Sequence, residues 1–200
     1  MTTLEARFAG ARFLLSAAEP GQVPPPDRPE VAFAGRSNAG KSSALNALCN
    51  QRQLARVSSQ PGRTQQINFF ELPSGRLVDL PGYGYAKAPQ ELRDGWSRLI
   101  NTYLETRSCL RGLVVIMDAR HPLKTLDVQL LAWADSLGQR CRILLTKSDK
   151  LSRGEGRKTL DGVRRDLAGS HPGTGVQLFS AMNREGVEEA RKHVLELLAN

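Results

Sequence analysis

The chain has 200 residues, 40% of them hydrophobic and 24% charged, and its formal net charge is +8. This length and composition fit one globular domain with a full core, and they exclude a disordered chain. The positive excess favours a polyanionic partner such as RNA, DNA or an anionic membrane surface. A solvated basic surface with no specific partner is an equally open interpretation of the charge alone.

The N-terminal segment carries only a short apolar run at 13–15, with acidic and basic residues around it. This run is too short for a secretory signal, and no apolar run of the chain approaches the roughly 18 residues that span a bilayer. The sequence therefore predicts a cytosolic protein that does not enter a membrane. Cys49, Cys109 and Cys141 are isolated in sequence and odd in number. This pattern predicts free thiols rather than disulfides or a zinc site.

Apolar runs of strand length alternate with helical patterns along the chain. The predicted strands are 31–34, 67–72, 76–80, 112–118, 142–146 and 176–180. The predicted helices follow the glycine-rich loop at 35–40 and cover 89–107, 125–137, 154–168 and the C-terminal segment from Val187. Alternation of this kind predicts an α/β fold with a doubly wound, mostly parallel six-stranded sheet and helices on both faces.

Two features modify this simple pattern. The short turn 73–75 predicts an antiparallel hairpin between the second and third strands, so one strand at the edge of the sheet should be antiparallel. The proline-rich segment 20–29 cannot be helical. We expect it to separate an N-terminal extension, residues 1–28, from the domain proper, residues 29–200.

The stretch GRSNAGKSS follows the first predicted strand and opens the next helix. Its two glycines allow backbone N–H groups to turn towards phosphates, and the helix N-terminus adds partial positive charge. Lys41 is predicted to reach the β and γ phosphates, and the Ser42 hydroxyl to coordinate Mg²⁺. The predicted phosphate-binding residues are Gly35, Arg36, Ser37, Asn38, Ala39, Gly40, Lys41, Ser42 and Ser43. The ligand is therefore a nucleoside triphosphate with magnesium.

The stretch LLTKSDK follows a strongly apolar strand, at the sheet edge where α/β folds bind ligands. Asp149 can accept hydrogen bonds from N1–H and the 2-amino group of guanine, whereas adenine would leave the carboxylate unpaired. Lys147 would place its aliphatic stem against the base. At the end of the last strand, small residues allow a backbone N–H to approach guanine O6. The predicted base-binding residues are Thr146, Lys147, Ser148, Asp149, Phe179, Ser180 and Ala181.

Two further segments are predicted to sense the γ-phosphate. In DLPG, Asp79 should hold Mg²⁺ through water and the Gly82 N–H should bond the γ-phosphate. In PGRTQQ, the Thr64 hydroxyl should complete the Mg²⁺ shell. Such segments become ordered by the triphosphate and are released on hydrolysis. The residues predicted here are Gly62, Arg63, Thr64, Gln65, Gln66, Asp79, Leu80, Pro81 and Gly82.

The chain resembles a translation-factor-type GTPase, and more closely the EngB family of bacterial ribosome-biogenesis GTPases. The stretches that carry the resemblance are EVAFAGRSNAGKSSALNAL, PGRTQQINFF, LVDLPGYGYA, MDARHPLK, LLTKSDKL and FSA. The resemblance implies GTP binding and slow hydrolysis, Mg²⁺, association with the large ribosomal subunit or its precursor, and a link to cell division and septation. It also implies that Asn38 helps to bind a potassium ion near the phosphates.

The catalytic residues predicted for hydrolysis are Lys41, Thr64, Gly82 and Asn38. Many small GTPases place a water-orienting glutamine directly after the DxxG glycine, and this chain has Tyr83 there. We therefore expect slow intrinsic turnover.

Three functional interpretations stay open: a timer driven by hydrolysis, a binding module gated by GTP, and a P-loop kinase or ATPase, against which Asp149 argues. A second open point is the rRNA-binding face. Basic residues flank the first switch and populate the predicted helix 154–168, although such helices are commonly just solvated. We expect a monomer.

Overall fold

The computed structural model describes residues 3–55, 66–83 and 99–199. The predictions for Gly62, Arg63, Thr64 and Gln65 lie outside these residues, as does the first part of the helix expected at 89–107. Within the described part of the chain, no helix has the length and apolar character needed to cross a membrane.

Seven strands form one sheet with the order β1-β3-β4-β2-β5-β6-β7. The strands are β1 Arg12–Ala17, β2 Glu30–Gly35, β3 Ile67–Leu72, β4 Gly75–Asp79, β5 Leu110–Asp118, β6 Cys141–Thr146 and β7 Gly175–Leu178. Five neighbouring strands, from β4 to β7 in this order, are parallel. The predicted doubly wound α/β fold is confirmed, with all six predicted strands in place.

The six-stranded count and the edge position of the antiparallel strand were wrong. β3 is antiparallel to β4 as predicted, but β1 pairs with its other side, so β3 lies one strand in from the edge. The short run at 12–17 gives little sequence signal, because only Ala17 is fully buried there and Phe13 is 54% exposed. Pairing with β3, more than fifty residues away, stabilises this strand.

Helices cover both faces of the sheet. They are α1 Leu4–Ala9, α2 Lys41–Leu48, α3 with its described residues 99–106, α4 Thr125–Ser136, α5 Arg153–Leu167 and α6 Val187–Ala199. Residues of α1, α2 and α6 belong to one hydrophobic cluster. Residues of α3, α4 and α5 belong to a second cluster on the opposite face. The near-continuous burial of β2, β4 and β5 follows from this double coverage.

A buried charge network closes the amino-terminal edge of the parallel strands. Glu30 opens β2, is fully buried, and accepts hydrogen bonds of 2.6 and 2.8 Å from the Arg107 guanidinium. The Tyr103 hydroxyl donates to the same carboxylate at 2.9 Å, and Arg76 lies 3.5 Å away. The network connects α3 to the centre of the sheet, on the side opposite the predicted motifs.

The predicted motifs lie together at the carboxyl edge of the parallel strands. β2 ends at Gly35, β4 at Asp79, β5 at Asp118 and β6 at Thr146. The register places Phe33 opposite Asp79 and Asp118 opposite Thr146, so these strand ends are neighbours. The topology therefore brings together segments that are more than a hundred residues apart.

Candidate functional site

The glycine-rich loop runs from the end of β2 to the first turn of α2, as predicted. Gly40 has φ +99° and Asn38 has φ +62°, both in the left-handed region. At Gly35, a Cβ atom would lie 2.8 Å from the Ile116 carbonyl oxygen of β5. Glycine is therefore required at both ends of the loop, at one for its conformation and at the other for the close approach of β5. Ser37, Ala39 and Ser43 lie in the loop and the first turn of α2.

Lys41 and Asp79 form an ion pair, and both side chains are largely buried. Lys41 opens α2 and Asp79 ends β4, so the pair connects the phosphate loop to the DLPG segment. Ser42 lies in the first turn of α2 beside Lys41. A serine hydroxyl and a carboxylate are hard oxygen donors of the kind that Mg²⁺ prefers, so the side chains present fit this ion. Thr64, the third predicted ligand, is outside the described residues.

The TKSD segment is bound directly to the phosphate loop. The Thr146 hydroxyl lies 2.5 Å from the Ala39 carbonyl oxygen and 3.0 Å from that of Met117. Lys147 has φ +58°, and its ammonium group donates to the Asn38 carbonyl oxygen at 2.8 Å. These contacts fix the segment predicted to recognise the base relative to the glycine-rich loop.

Asp118 supports this arrangement, although its sequence position predicted no role for it. Its carboxylate lies 3.0 Å from the Lys147 ammonium and 2.7 Å from the Arg120 guanidinium. Burial raises the pKa of Asp118, but hydrogen bonds from Arg120 and Lys147 outweigh burial and hold the pKa far below its usual range. The position of Asp118 at the carboxyl end of β5, inside DARHPLK, was the signal available in the sequence.

The predicted base-binding residues Asp149 and Ser180 are in direct contact. The Ser180 hydroxyl donates to Asp149 Oδ1 at 2.6 Å, and Lys150 lies 3.2 Å from Oδ2. The hydrogen bond from Ser180 lowers the pKa of Asp149 below its ordinary value. Ser148 donates to Glu185 at 2.5 Å, which connects the segment to the loop before α6.

The hydrogen bonds of the FSA segment show which of its backbone N–H groups is unpaired and could bind a ligand. The Phe179 N–H donates to the Leu145 carbonyl at 2.9 Å, and the Ser180 N–H donates to the Glu185 carbonyl at 3.0 Å. Among the described residues, no acceptor contacts the Ala181 N–H. Ala181 is therefore the member of FSA whose N–H is available to a ligand.

The DLPGY segment lies against the phosphate loop. The Leu80 N–H donates to Phe33, Pro81 is buried, and Gly82 approaches the Ser37 backbone, where a Cβ would lie 3.2 Å from Ser37 Cα. The Tyr83 N–H donates to the Gly35 carbonyl at 3.2 Å, and Tyr83 accepts from the Ser37 N–H at 3.0 Å. This contact is a short parallel bridge between the two segments.

The side chains of Tyr83 and Arg36 point to α4. Tyr83 Oη donates to Asp127 Oδ1 at 2.8 Å, and Arg36 Nε lies 3.3 Å from Asp127 Oδ2. Burial, together with the Asp127 charge, raises the pKa of the Tyr83 hydroxyl well above its usual value. Arg36, predicted as a phosphate-loop residue, thus contributes its backbone to the loop and directs its guanidinium to α4. No local pattern in the sequence indicated Asp127.

Gln66 is exposed and precedes β3 directly. Because β3 is antiparallel to β4, with Asn68 opposite Asp79, the first residues of β3 lie at the same sheet edge as the other motifs. All predicted site residues among the described ones therefore lie at this edge.

Comparisons with known proteins agree with this geometry. Residues 30–147 match the family model described as 50S ribosome-binding GTPase. A probable GTP-binding protein EngB from Aromatoleum aromaticum is 54% identical over 188 residues, which are 94% of this chain and 87% of that protein. Its counterpart from Stenotrophomonas maltophilia is 55% identical over 183 residues, 90% of this chain and 92% of the relative.

Solved structures share the fold. The crystal structure of a probable GTP-binding protein engB has a TM-score of 0.67 at 18% identity, covering 85% of this chain and 98% of the other. Era, in a complex with MgGDPNP and nucleotides 1506–1542 of 16S ribosomal RNA, has a TM-score of 0.67 at 20% identity and covers 84% of this chain and 56% of Era.

Proposed function

This chain belongs to the EngB family of GTPases, and from that membership we propose that it is a GTP-dependent switch in the assembly of the large ribosomal subunit. In this proposal the GTP form binds the large subunit or its precursor, and the GDP form is released. Normal cell division and septation depend on this step through the supply of ribosomes. The membership removes the kinase and ATPase alternatives.

The observation that carries the proposal is the direct attachment of two sensing segments to one phosphate loop. Thr146 and Lys147 contact the carbonyl groups of Ala39 and Asn38, while Tyr83 contacts Gly35 and Ser37. A base recognised at Asp149 and a γ-phosphate recognised at Gly82 would therefore act on the same short loop. This coupling is what a nucleotide switch needs.

Mg²⁺ would be held by Ser42, Thr64 and Asp79, and it would neutralise charge on the β and γ phosphates. When the nucleotide binds, the Lys41 ammonium would leave Asp79 and contact phosphate oxygens, because the phosphates carry more negative charge than one carboxylate. The loop N–H groups and the N-terminus of α2 would bind the remaining phosphate charge. Gly62, Arg63, Thr64 and Gln65 are proposed to close over the nucleotide from the other side, next to Gln66.

We expect hydrolysis to be slow, because the residue after Gly82 is a tyrosine whose hydroxyl is bonded to Asp127. A potassium ion bound with the help of Asn38 would supply positive charge near the phosphates. Steady-state turnover in K⁺ and in Na⁺ at equal ionic strength tests this idea. Higher turnover in K⁺, reduced by Asn38→Ala, would support it, and equal rates would remove it.

A ribosomal RNA partner is supported by the formal net charge of +8 and by exposed basic side chains on α5. These are Arg153, Arg157, Lys158, Arg164 and Arg165. Part of this charge is internally compensated, since Arg157 pairs with Asp161 at 3.0 Å. Binding to purified large subunits, small subunits and unrelated RNA at one salt concentration tests the partner. Preference for the large subunit is expected, and equal binding to all three would indicate nonspecific polyanion binding.

Hydrolysis distinguishes a timer from a gated binding module. Thr64→Ala should bind GTP but hydrolyse it poorly, since the proposed Mg²⁺ ligand is lost. If hydrolysis drives release, this variant should accumulate on large-subunit precursors in cells and block their maturation. Normal maturation with the variant would favour the module, in which turnover is incidental.

We further propose that the protein is cytoplasmic, where GTP and ribosomal subunits are found, and that it is a monomer. Size-exclusion chromatography with light scattering should give a mass near the 21.9 kDa of one chain. A mass of twice this value would overturn the monomer.

A further inference from the structure

We propose that Tyr83, Asp127 and Arg36 form a positioning cluster that holds Gly82 where its N–H can meet the γ-phosphate, so that GTP is favoured over GDP. The inference rests on the proposed role of Gly82 as γ-phosphate sensor. It assigns a function to Asp127, and to the side chains of Tyr83 and Arg36, beyond the motifs themselves.

The backbone geometry places Gly82 against the phosphate loop. The residue after it, Tyr83, makes two backbone hydrogen bonds to the loop, to Gly35 at 3.2 Å and from Ser37 at 3.0 Å. Any side chain at position 82 would crowd the loop, because a Cβ atom there would lie 3.2 Å from Ser37 Cα. Among the described residues, none accepts a hydrogen bond from the Gly82 N–H. The segment is thus fixed while its sensing donor stays available.

The side chains fix the same segment from α4. Asp127 is fully buried, and each of its carboxylate oxygens has partners. Oδ1 accepts from the Tyr83 hydroxyl, while Oδ2 accepts from the Lys124 N–H at 3.0 Å and lies 3.3 Å from Arg36 Nε. Arg36 also donates to the His121 carbonyl at 3.1 Å. One carboxylate therefore joins the phosphate loop, the DLPGY segment and the loop before α4.

A cluster of this kind affects the two nucleotides differently. The buried Asp127 carboxylate is held by two hydrogen bonds, from the Tyr83 hydroxyl and the Lys124 N–H, and faces the Arg36 charge without a hydrogen bond from Arg36 Nε. Such a group is rigid, because losing either hydrogen bond would leave a buried carboxylate oxygen short of a donor. Rigidity lowers the entropy lost when Gly82 binds its target. GTP carries the γ-phosphate that Gly82 would bind, and GDP does not. Loss of the cluster should therefore weaken GTP binding and leave GDP binding nearly unchanged. A side chain that merely supported the fold would affect both.

The test compares the affinities of a non-hydrolysable GTP analogue and of GDP, by fluorescent nucleotide titration, for Tyr83→Phe and Asp127→Asn. Tyr83→Phe removes one hydroxyl and keeps the ring, and Asp127→Asn keeps the shape. Asp135→Asn is the matched control, since Asp135 lies on the same helix with its side chain 68% exposed. We expect the preference for the analogue to fall about 5- to 10-fold in Tyr83→Phe and at least as far in Asp127→Asn, which also loses the charge that faces Arg36. The double variant should fall by less than the product of the two single effects, because both changes act on the same Tyr83–Asp127 contact.

Gly82→Ala separates failure of the inference from failure of the sensor role, because its methyl group would lie 3.2 Å from Ser37 Cα and displace the Gly82 N–H from its place beside the loop. If Gly82→Ala weakens analogue binding and Tyr83→Phe does not, the positioning role is overturned while the sensor role stands. If none of these variants changes the ratio of the two affinities, both are overturned. Equal weakening of analogue and GDP in Tyr83→Phe and Asp127→Asn would also overturn the inference, since it would show a general structural role.

Discussion

The Ser180 hydroxyl donates a 2.6 Å hydrogen bond to the Asp149 carboxylate, although the two residues are 31 positions apart. Asp149 follows β6 and Ser180 follows β7, so the contact depends on parallel pairing of these two strands. It orients one oxygen of the group proposed to recognise guanine. The two motifs predicted to recognise the base are therefore joined, and Ser180 of the second positions Asp149 of the first.

Ser180→Ala should lower the affinity for GDP by roughly 10-fold, since a hydrogen bond to a charged group contributes about 1.5–3 kcal/mol. Asp149 itself is kept, so guanine preference over adenine should persist, although the alanine also removes the acceptor of the Met182 and Asn183 N–H groups. Fluorescent GDP titration, with ATP as competitor, measures both. Unchanged GDP affinity would show that Asp149 does not need its contact with Ser180.

Asp149→Asn should change base specificity from guanine to xanthine. The asparagine carboxamide presents a donor where the carboxylate presents an acceptor, and xanthine carries a carbonyl in place of the 2-amino group of guanine. We expect GDP affinity to fall at least roughly 100-fold and XDP to bind better than GDP. Asp161→Asn on the exposed face of α5 is the control. Retained preference for GDP would mean that Asp149 does not contact the base.

Glu30→Gln should destabilise the fold by about 3 kcal/mol in urea unfolding, because it removes the buried anion facing Arg107 and Arg76. Glu105→Gln, at an exposed position of α3, is the control. Nucleotide affinity of the folded variant should be unchanged, since Glu30 lies at the opposite edge of the sheet. A loss below about 1 kcal/mol would show that the ion pairs contribute little net stability.

The three free cysteines should react slowly with iodoacetamide at pH 8. Burial raises the pKa of Cys49 and Cys141 to about 12 and that of Cys109 to about 11. At pH 8 a thiol with a pKa of about 11 or 12 is almost entirely protonated, whereas a cysteine of the unfolded chain, with a pKa of about 8.5, has a substantial thiolate fraction. Because the thiolate is the reactive form, labelling should be at least roughly 100-fold slower in the folded protein than in the unfolded chain. Mass spectrometry with and without urea measures this. Rapid native labelling of any of the three would contradict it.

The sequence was sufficient to predict the parts of the site that are set by local motifs. The phosphate loop needs glycine at particular positions, Asp79 ends a buried strand and Asp149 follows one, so strand–loop–helix patterns located them without knowledge of tertiary contacts. Their meeting at one edge follows from the rule that parallel strands present their carboxyl ends together. The free thiols were also predicted correctly.

Contacts between distant, individually unremarkable residues could not be predicted in this way. β1 is half exposed and becomes a strand only through pairing with β3, and Asp127 looks like one acidic residue in a helix. Glu30 is a charged residue at the start of an apolar strand, and its burial depends on Arg107, 77 residues later. Such contacts are set by tertiary packing, which no local period or motif encodes.

The most direct test of the switch is the affinity of the protein for purified large ribosomal subunits when it is loaded with a non-hydrolysable GTP analogue or with GDP. Cosedimentation at one fixed salt concentration measures this, because charge alone makes binding salt-dependent. We expect at least roughly 10-fold tighter binding of the analogue form, a difference of about 1.4 kcal/mol. Equal binding of the two forms would contradict a γ-phosphate-gated switch.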